Sequence, residues 1–176
     1  MAEHRIKVEE LKEKIPLLTA GDRVLLSGTV YTSRDAAHKR IVSLMDAGEA
    51  LPFALEGACI YYAGPTPAEP GSVIGSCGPT TSGRMDAFAP KLLDAGLACM
   101  IGKGQRNADV VSAIVRNGAV YLCAVGGAGA LAAQSITACE EIAFQDLGCE
   151  SIKRLQVLNF PLIVAIDSRG GNLFER

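Results

Sequence analysis

The chain has no tryptophan, and aromatic residues make up only 5% of its 176. Side-chain platforms for stacking nucleic-acid bases are therefore not expected. An excess of either charge is also missing: 17 basic residues face 19 acidic ones, for a formal charge of −2. With no long basic run, nucleic acid and anionic membranes are poor candidates for a main partner. No apolar run reaches the roughly 18 residues of a membrane span, and Met1 to Lys12 lacks the continuous apolar core of a signal peptide. A cytoplasmic location is the expectation. There are two histidines, His4 and His38, and six cysteines spread singly at 59, 77, 99, 123, 139 and 149. That spacing fits neither a zinc site nor a disulfide framework, so no metal site is expected on this chain alone. Cys99 and Cys123, inside apolar runs, read as small core residues. The hydrolase pattern G-x-S-x-G and the P-loop pattern are absent.

What is present is ample core material, with 49% hydrophobic residues, and 19 glycines for tight turns. One domain over residues 1–176 is the expectation. Residues 4–20 read as a short strand, a few helical residues and a turn at Ala20–Asp22. Asp22 to Tyr31 reads as a strand bulged at Gly28. A helix follows from a Thr32/Asp35 capping box, with Gly48 just past its end. Glu56 to Ala63 reads as a strand and the proline-rich 64–71 as an ordered loop. A helix starts near Thr80 to Arg84, with Met85, Phe88, Leu92 and Leu93 at helical spacing. A buried strand ends at Ile101–Gly104, Asn107 caps a helix closed by Gly118, and Ala119–Val125 is a strand. Helical character runs to about Ile136, and strands lie at Glu141–Phe144, Leu155–Leu158 and Pro161–Ile166. The alternation in the middle, with strands gathered at the end, favours a mixed α/β domain.

Three cations stand at ends of elements. Arg34 and Arg84 each follow a hydroxyl-rich turn at a helix start, where a cation is unfavourable unless it is solvated or holds an anion. Thr80, Thr81 and Ser82 crowd the second start, and Lys103 sits between two glycines at the end of a buried strand, where α/β folds place their sites. Each also has a plain reading as a capped or solvated turn. Together they suit a small dianion such as a dicarboxylate. His38 reads as a surface histidine, and Asp86 as a complement to its helix dipole. A competing signal is Gly127 to Ala132, which matches G-x-G-x-x-A after a strand, with Asp146 at the distance of a ribose contact. That would make the chain a dinucleotide-binding module.

Five segments taken together, Gly28–His38, Tyr62–Pro65, Gly78–Asp86, Ile101–Gly104 and Asn159–Asn172, resemble the β component of the class I, iron–sulfur fumarase and L(+)-tartrate dehydratase family. The likeness runs from about Leu17 to the end. It implies a swivelling β/β/α fold with a mixed sheet, and an α subunit as partner, commonly in an α2β2 assembly. In that family the α subunit carries three cysteines that hold a [4Fe–4S] cluster whose open iron acts as a Lewis acid. This chain has no such triplet, so the resemblance implies a cluster supplied in trans. By position it implies that Arg34, Arg84 and Lys103 bind substrate carboxylates and that Thr80 is the general base, with Thr81 adjacent as the alternative. The implied reaction is the reversible hydration of fumarate to L-malate, with tartrate dehydration as the alternative.

Overall fold

The computed structural model describes residues 1–124 and 129–175. Among the described residues are seven strands: β1 (Glu3–Lys7), β2 (Arg23–Thr32), β3 (Cys59–Tyr61), β4 (Cys99–Gly102), β5 (Val120–Cys123), β6 (Ile136–Ala143) and β7 (Ile152–Ile166). Five helices accompany them: α1 (Leu11–Lys14), α2 (Asp35–Asp46), α3 (Ala89–Asp94), α4 (Ala108–Asn117) and α5 (Gly129–Gln134).

β2, β3, β4 and β5 pair in parallel. β7 runs antiparallel to β5 and also to β2, so these five strands close on themselves. β1 extends β2 in parallel, and β6 lies antiparallel on β7. The alternation of side chains then sorts the core into two clusters. Cys59, Tyr61, Cys99, Ile101, Val120 and Leu122 face the enclosed side with Leu155 and Val164. Their neighbours Ile60, Met100 and Tyr121 face the other side, packed against Ala37 and Ile41 of α2, Leu92 and Leu93 of α3, and Val110 and Ile114 of α4. A slip of one residue in β3, β4 or β5 would exchange the two faces, so the register is strongly specified. The mixed α/β fold, with its mixed sheet and β/β/α layering, is the one expected.

Local signals explain many boundaries. Gly48 (φ 67°) follows the C-terminus of α2. Asn107 accepts the Val110 N–H at 3.0 Å, and Gly118 (φ 61°) ends α4 in the left-handed region. The bulge expected at Gly28 of β2 is not on that strand: the register shift beside Gly28 puts the extra residue on β7.

Other expectations fail for identifiable reasons. Thr32 does not cap α2: it is the last residue of β2, and its hydroxyl accepts the Lys153 N–H at 3.0 Å. The N-cap is Arg34, so the cation stands before the first turn instead of within it. The helix expected from Thr80 is a single 3-10 turn, Ser82–Met85, and α3 begins at Ala89 with Pro90 in its first turn. Competing bonds from Ser82 to the end of β4 hold that segment out of an α-helix. Helical character stops at Gln134, and the strand expected at Glu141–Phe144 is the end of β6. The two final strands are one, β7, with Leu158 and Asn159 bulged opposite Ser27, whose hydroxyl accepts the Asn159 N–H at 2.9 Å.

Candidate active site

Parallel pairing puts the C-terminal ends of β2, β3 and β4 side by side. Arg34, Gly64 and Lys103 lie one to three residues beyond those ends. Open α/β sheets place ligands at this edge.

Contacts link Arg84, Thr81 and Lys103 to one another, and Arg34 and Thr80 adjoin them as chain neighbours of Asp35 and Thr81. Asp35 accepts a hydrogen bond from Arg84, whose side chain stays 51% exposed. The Arg84 N–H reaches the Thr81 carbonyl at 3.4 Å, and Thr81 forms a parallel bridge with Lys103. The Thr80 N–H donates to the Tyr62 carbonyl at the end of β3 at 2.7 Å. Thr80 is half-buried, whereas Thr81 is exposed. Among the described residues neither the Thr80 hydroxyl nor the Lys103 ammonium has a hydrogen bond, so the backbone alone sets their positions. Arg34 lies over Gly64: a Cβ there would stand 2.9 Å from Arg34 Nη1, so only glycine leaves the guanidinium its place.

At the start of α2 three buried polar atoms have no hydrogen-bond partner among the described residues: Arg34 Nε, Asp35 Oδ1 and His38 Nε2. Glu150 lies 4.0 Å from Arg34 Nε, too far for a hydrogen bond. Such orphans are uncommon and call for an explanation, since desolvating a polar group without a partner is costly. His38 is fully buried, against expectation, because Tyr62 and Phe88 close over its ring. Its Nδ1 lies 2.9 Å from the Arg34 carbonyl and 2.7 Å from Ser33 Oγ. A carbonyl only accepts, so Nδ1 carries the proton and Nε2 is a bare acceptor. Burial lowers the pKa of His38 to about 4, which leaves the ring neutral at pH 7.

Behind the patch is a network that sequence reasoning missed. Arg106, with a fully buried side chain, donates from Nε to Asp86 Oδ1 at 2.7 Å and from Nη2 to Tyr62 Oη at 3.2 Å. Its guanidinium lies 5.2 Å from the ring centroid of Tyr62 and 4.7 Å from that of Tyr121. Asp86 takes the Asn107 N–H on its other oxygen at 2.8 Å. It is thus an ion-pair partner and not a helix-dipole complement. Tyr121 Oη lies 2.8 Å from both the Gly104 carbonyl and Ser82 Oγ. With one phenolic proton and a carbonyl that only accepts, the order is fixed. The Lys103 N–H donates to Ser82 Oγ at 3.0 Å, Ser82 donates to Tyr121, and Tyr121 donates to Gly104. The Ser82 N–H returns to the Lys103 carbonyl at 2.9 Å. A Cβ at Gly102 would collide with Ser82 Oγ, so that glycine makes room for a neighbouring segment and not for a ligand. The sequence signal for Arg106 was faint: an arginine just before an Asn cap.

The dinucleotide signal fares poorly. Gly127 lies outside the described residues. Asp146 pairs with Arg40, and β6 is antiparallel to β7, so the helix after β5 does not lead into a parallel strand as the fingerprint requires. The Gly129 carbonyl accepts the Cys77 N–H at 3.1 Å, supporting the loop that leads to Thr80.

A cavity of about 330 Å³, lined in part by Pro65, Thr66, Cys149 and Lys153, adjoins Gly64. A larger one, about 490 Å³, lies at the opposite end of the sheet around Glu56, Gly96 and Gly118, and holds none of the five residues. No helix among the described residues is long and apolar enough to cross a membrane.

A model of the fumarase C-terminus family matches residues 2–176. The chain is 37% identical over 171 residues to the anaerobic class I fumarate hydratase of Escherichia coli K12, covering 96% of this chain and 31% of that protein. Against the putative L(+)-tartrate dehydratase subunit beta of Methanocaldococcus jannaschii the identity is 38% over 170 residues, covering 93% of this chain and 87% of the relative. Against the L(+)-tartrate dehydratase subunit beta of E. coli K12 it is 34% over 173 residues, covering 96% and 83%. The chain spans about a third of the length of the curated fumarate hydratases it matches.

Proposed function

The chain belongs to the fumarase C-terminus family, and on that premise we propose that it is the β subunit of a two-component hydro-lyase that hydrates fumarate reversibly to L-malate. Arg34, Arg84 and Lys103 grip the two carboxylates, and Thr80 moves the proton at C3. The observation that carries this reading is the buried Nε of Arg34, which makes no hydrogen bond and has only a long ion pair to Glu150, beside a patch that also holds Arg84 and Lys103. A substrate carboxylate is the acceptor that would complete it.

In the hydration direction the Thr80 hydroxyl gives its proton to C3, and in dehydration it takes that proton back. A threonine hydroxyl is a weak base, so its alkoxide-like form needs cations close by, and Arg84 and Lys103 are the groups available. The same cations stabilise the charge that develops on the adjacent carboxylate. The half-buried position of Thr80 favours it over the exposed Thr81.

The [4Fe–4S] cluster implied by family resemblance does not fit this chain. Among the described residues no three Cys, His, Asp or Glu side chains are grouped to hold a metal. Cys59 and Cys99 face each other within the core, and burial pushes the Cys77 thiol up to about 12, away from the thiolate a cluster needs. On this reading the cluster is held by an α subunit, in an α2β2 assembly of the cytoplasm, and the part of this chain is to bind the acid and move a proton. Two relatives named as tartrate dehydratase subunit beta favour tartrate as the alternative substrate.

The test is to combine the chain with its α subunit, loaded with cluster, and to assay fumarate hydration and L(+)-tartrate dehydration. Turnover of fumarate with the higher kcat/KM is expected. A preference for tartrate would select the alternative, and inactivity on both acids would refute the reading.

A further inference from the structure

We propose that Arg106 is a positioning residue of this site, setting the distance between Thr80 and Lys103 from behind. The proposal rests on the reading of the patch as the hydro-lyase site and adds a residue that touches no substrate.

Four segments meet at the site: the end of β3, the loop through Thr80 and Asp86, the end of β4, and β5. Ser82 and Tyr121 already tie the last three to one another. Arg106 touches all four. It binds Asp86 at the end of the loop, Tyr62 at the end of β3 and the ring of Tyr121 in β5, and its Nη1 lies 3.5 Å from Met100 Sδ in β4. Tyr62 carries the Thr80 N–H on its carbonyl. Tyr121 closes the relay that fixes Ser82 to Lys103 and Gly104. Turning the guanidinium would therefore move the backbones of Thr80 and Lys103 in relation to each other.

A buried ion pair is a poor way to gain stability, because desolvation offsets most of the attraction. What a planar guanidinium adds is direction. It donates along Nε and Nη2 while lying near two tyrosine ring faces, which a lysine ammonium, a flexible point charge, cannot reproduce. Catalysis is sensitive to displacements of that kind: a shift of about 1 Å can lower a rate by about 10²-fold.

The experiment compares three variants in the assembled, cluster-loaded complex, after wild-type turnover has been established. Arg106→Lys is expected to lower kcat by about 10–100-fold while KM changes by less than about threefold. The folded fraction is followed by thermal melting. Arg116→Lys, in α4 and in an exposed pair with Asp94 of α3, is the control and keeps wild-type kcat. If Arg106→Lys does not assemble, Tyr121→Phe removes only the phenolic oxygen of the relay and is expected to lower kcat by about 3–10-fold at unchanged KM. Wild-type kcat per folded complex, in Arg106→Lys or, where that fails to assemble, in Tyr121→Phe, would overturn the proposal. So would a rise in KM with kcat intact. A wild-type complex inactive on both acids would overturn the underlying reading first, before any variant is compared.

Discussion

Two arginine–aspartate groups lie close to each other in this fold and differ in what they leave undone. In the Arg106 network behind the strand ends, both Asp86 oxygens and the Tyr62, Tyr121 and Ser82 hydroxyl groups have partners. At the start of α2, Arg34 Nε, Asp35 Oδ1 and His38 Nε2 are buried without a hydrogen bond among the described residues, and Arg34 has only a long ion pair to Glu150. A satisfied network rigidifies; an unsatisfied one waits for something. The contrast assigns the first group to holding geometry and the second to meeting a ligand.

The largest effect is expected where chemistry is assigned on the strength of position alone. Thr80→Ala in the assembled complex should lower kcat by about 10²–10⁴-fold, the usual contribution of a positioned acid or base. Thr81→Ala should stay within a few-fold of wild type. Steady-state rates of the two variants side by side decide between the neighbours, and equal losses would erase the distinction.

Next come the front cations. Removing a charge-assisted hydrogen bond forfeits about 1.5–3 kcal/mol. Arg34→Ala and Arg84→Ala should then each lower kcat/KM for fumarate by about 10–150-fold. Assembly with the partner, measured by gel filtration, should survive both changes. Wild-type kinetics in either variant would remove that arginine from the site.

A last effect, on stability and not on rate, separates His38 from the network behind it. In the unfolded chain His38 takes up a proton near its ordinary value of 6.5, and in the folded chain only near 4. Between those values the unfolded state holds the extra proton, so stability is complete above pH 6.5 and falls as pH drops toward 4. The loss is on the order of 3 kcal/mol. His38→Asn keeps a donor for the Arg34 carbonyl and should flatten that part of the stability profile, read as urea midpoints between pH 7 and pH 4. An unchanged acid slope would assign it to other groups.

Much of the frame was legible in the sequence because it is local. Asn107, Gly118 and Gly48 act within a turn of where they stand, and β2 shows a clear alternation along its length. What escaped was set by distant partners. His38 reads as an exposed helical residue until Tyr62 and Phe88 close over it. Thr32 looks like a cap until Lys153, 121 residues on, claims its hydroxyl. Pro161 suggests a strand boundary, but β7 runs through it with the proline exposed. The three cations were visible as oddly placed charges. Their meeting depended on parallel pairing that no local pattern reports, and Arg106 was hidden because burial of a charge has no signature in a single sequence.

The central claim is that the front group meets a dicarboxylate while the rear group does not. It is tested most directly by labelling the arginine side chains of this chain with ¹⁵N in the assembled complex and titrating with L-malate. The Nε–H signals of Arg34 and Arg84 should shift saturably, in step with the KM for malate, while that of Arg106 stays in place. Shifts at Arg106 with none at Arg34 or Arg84 would contradict the account.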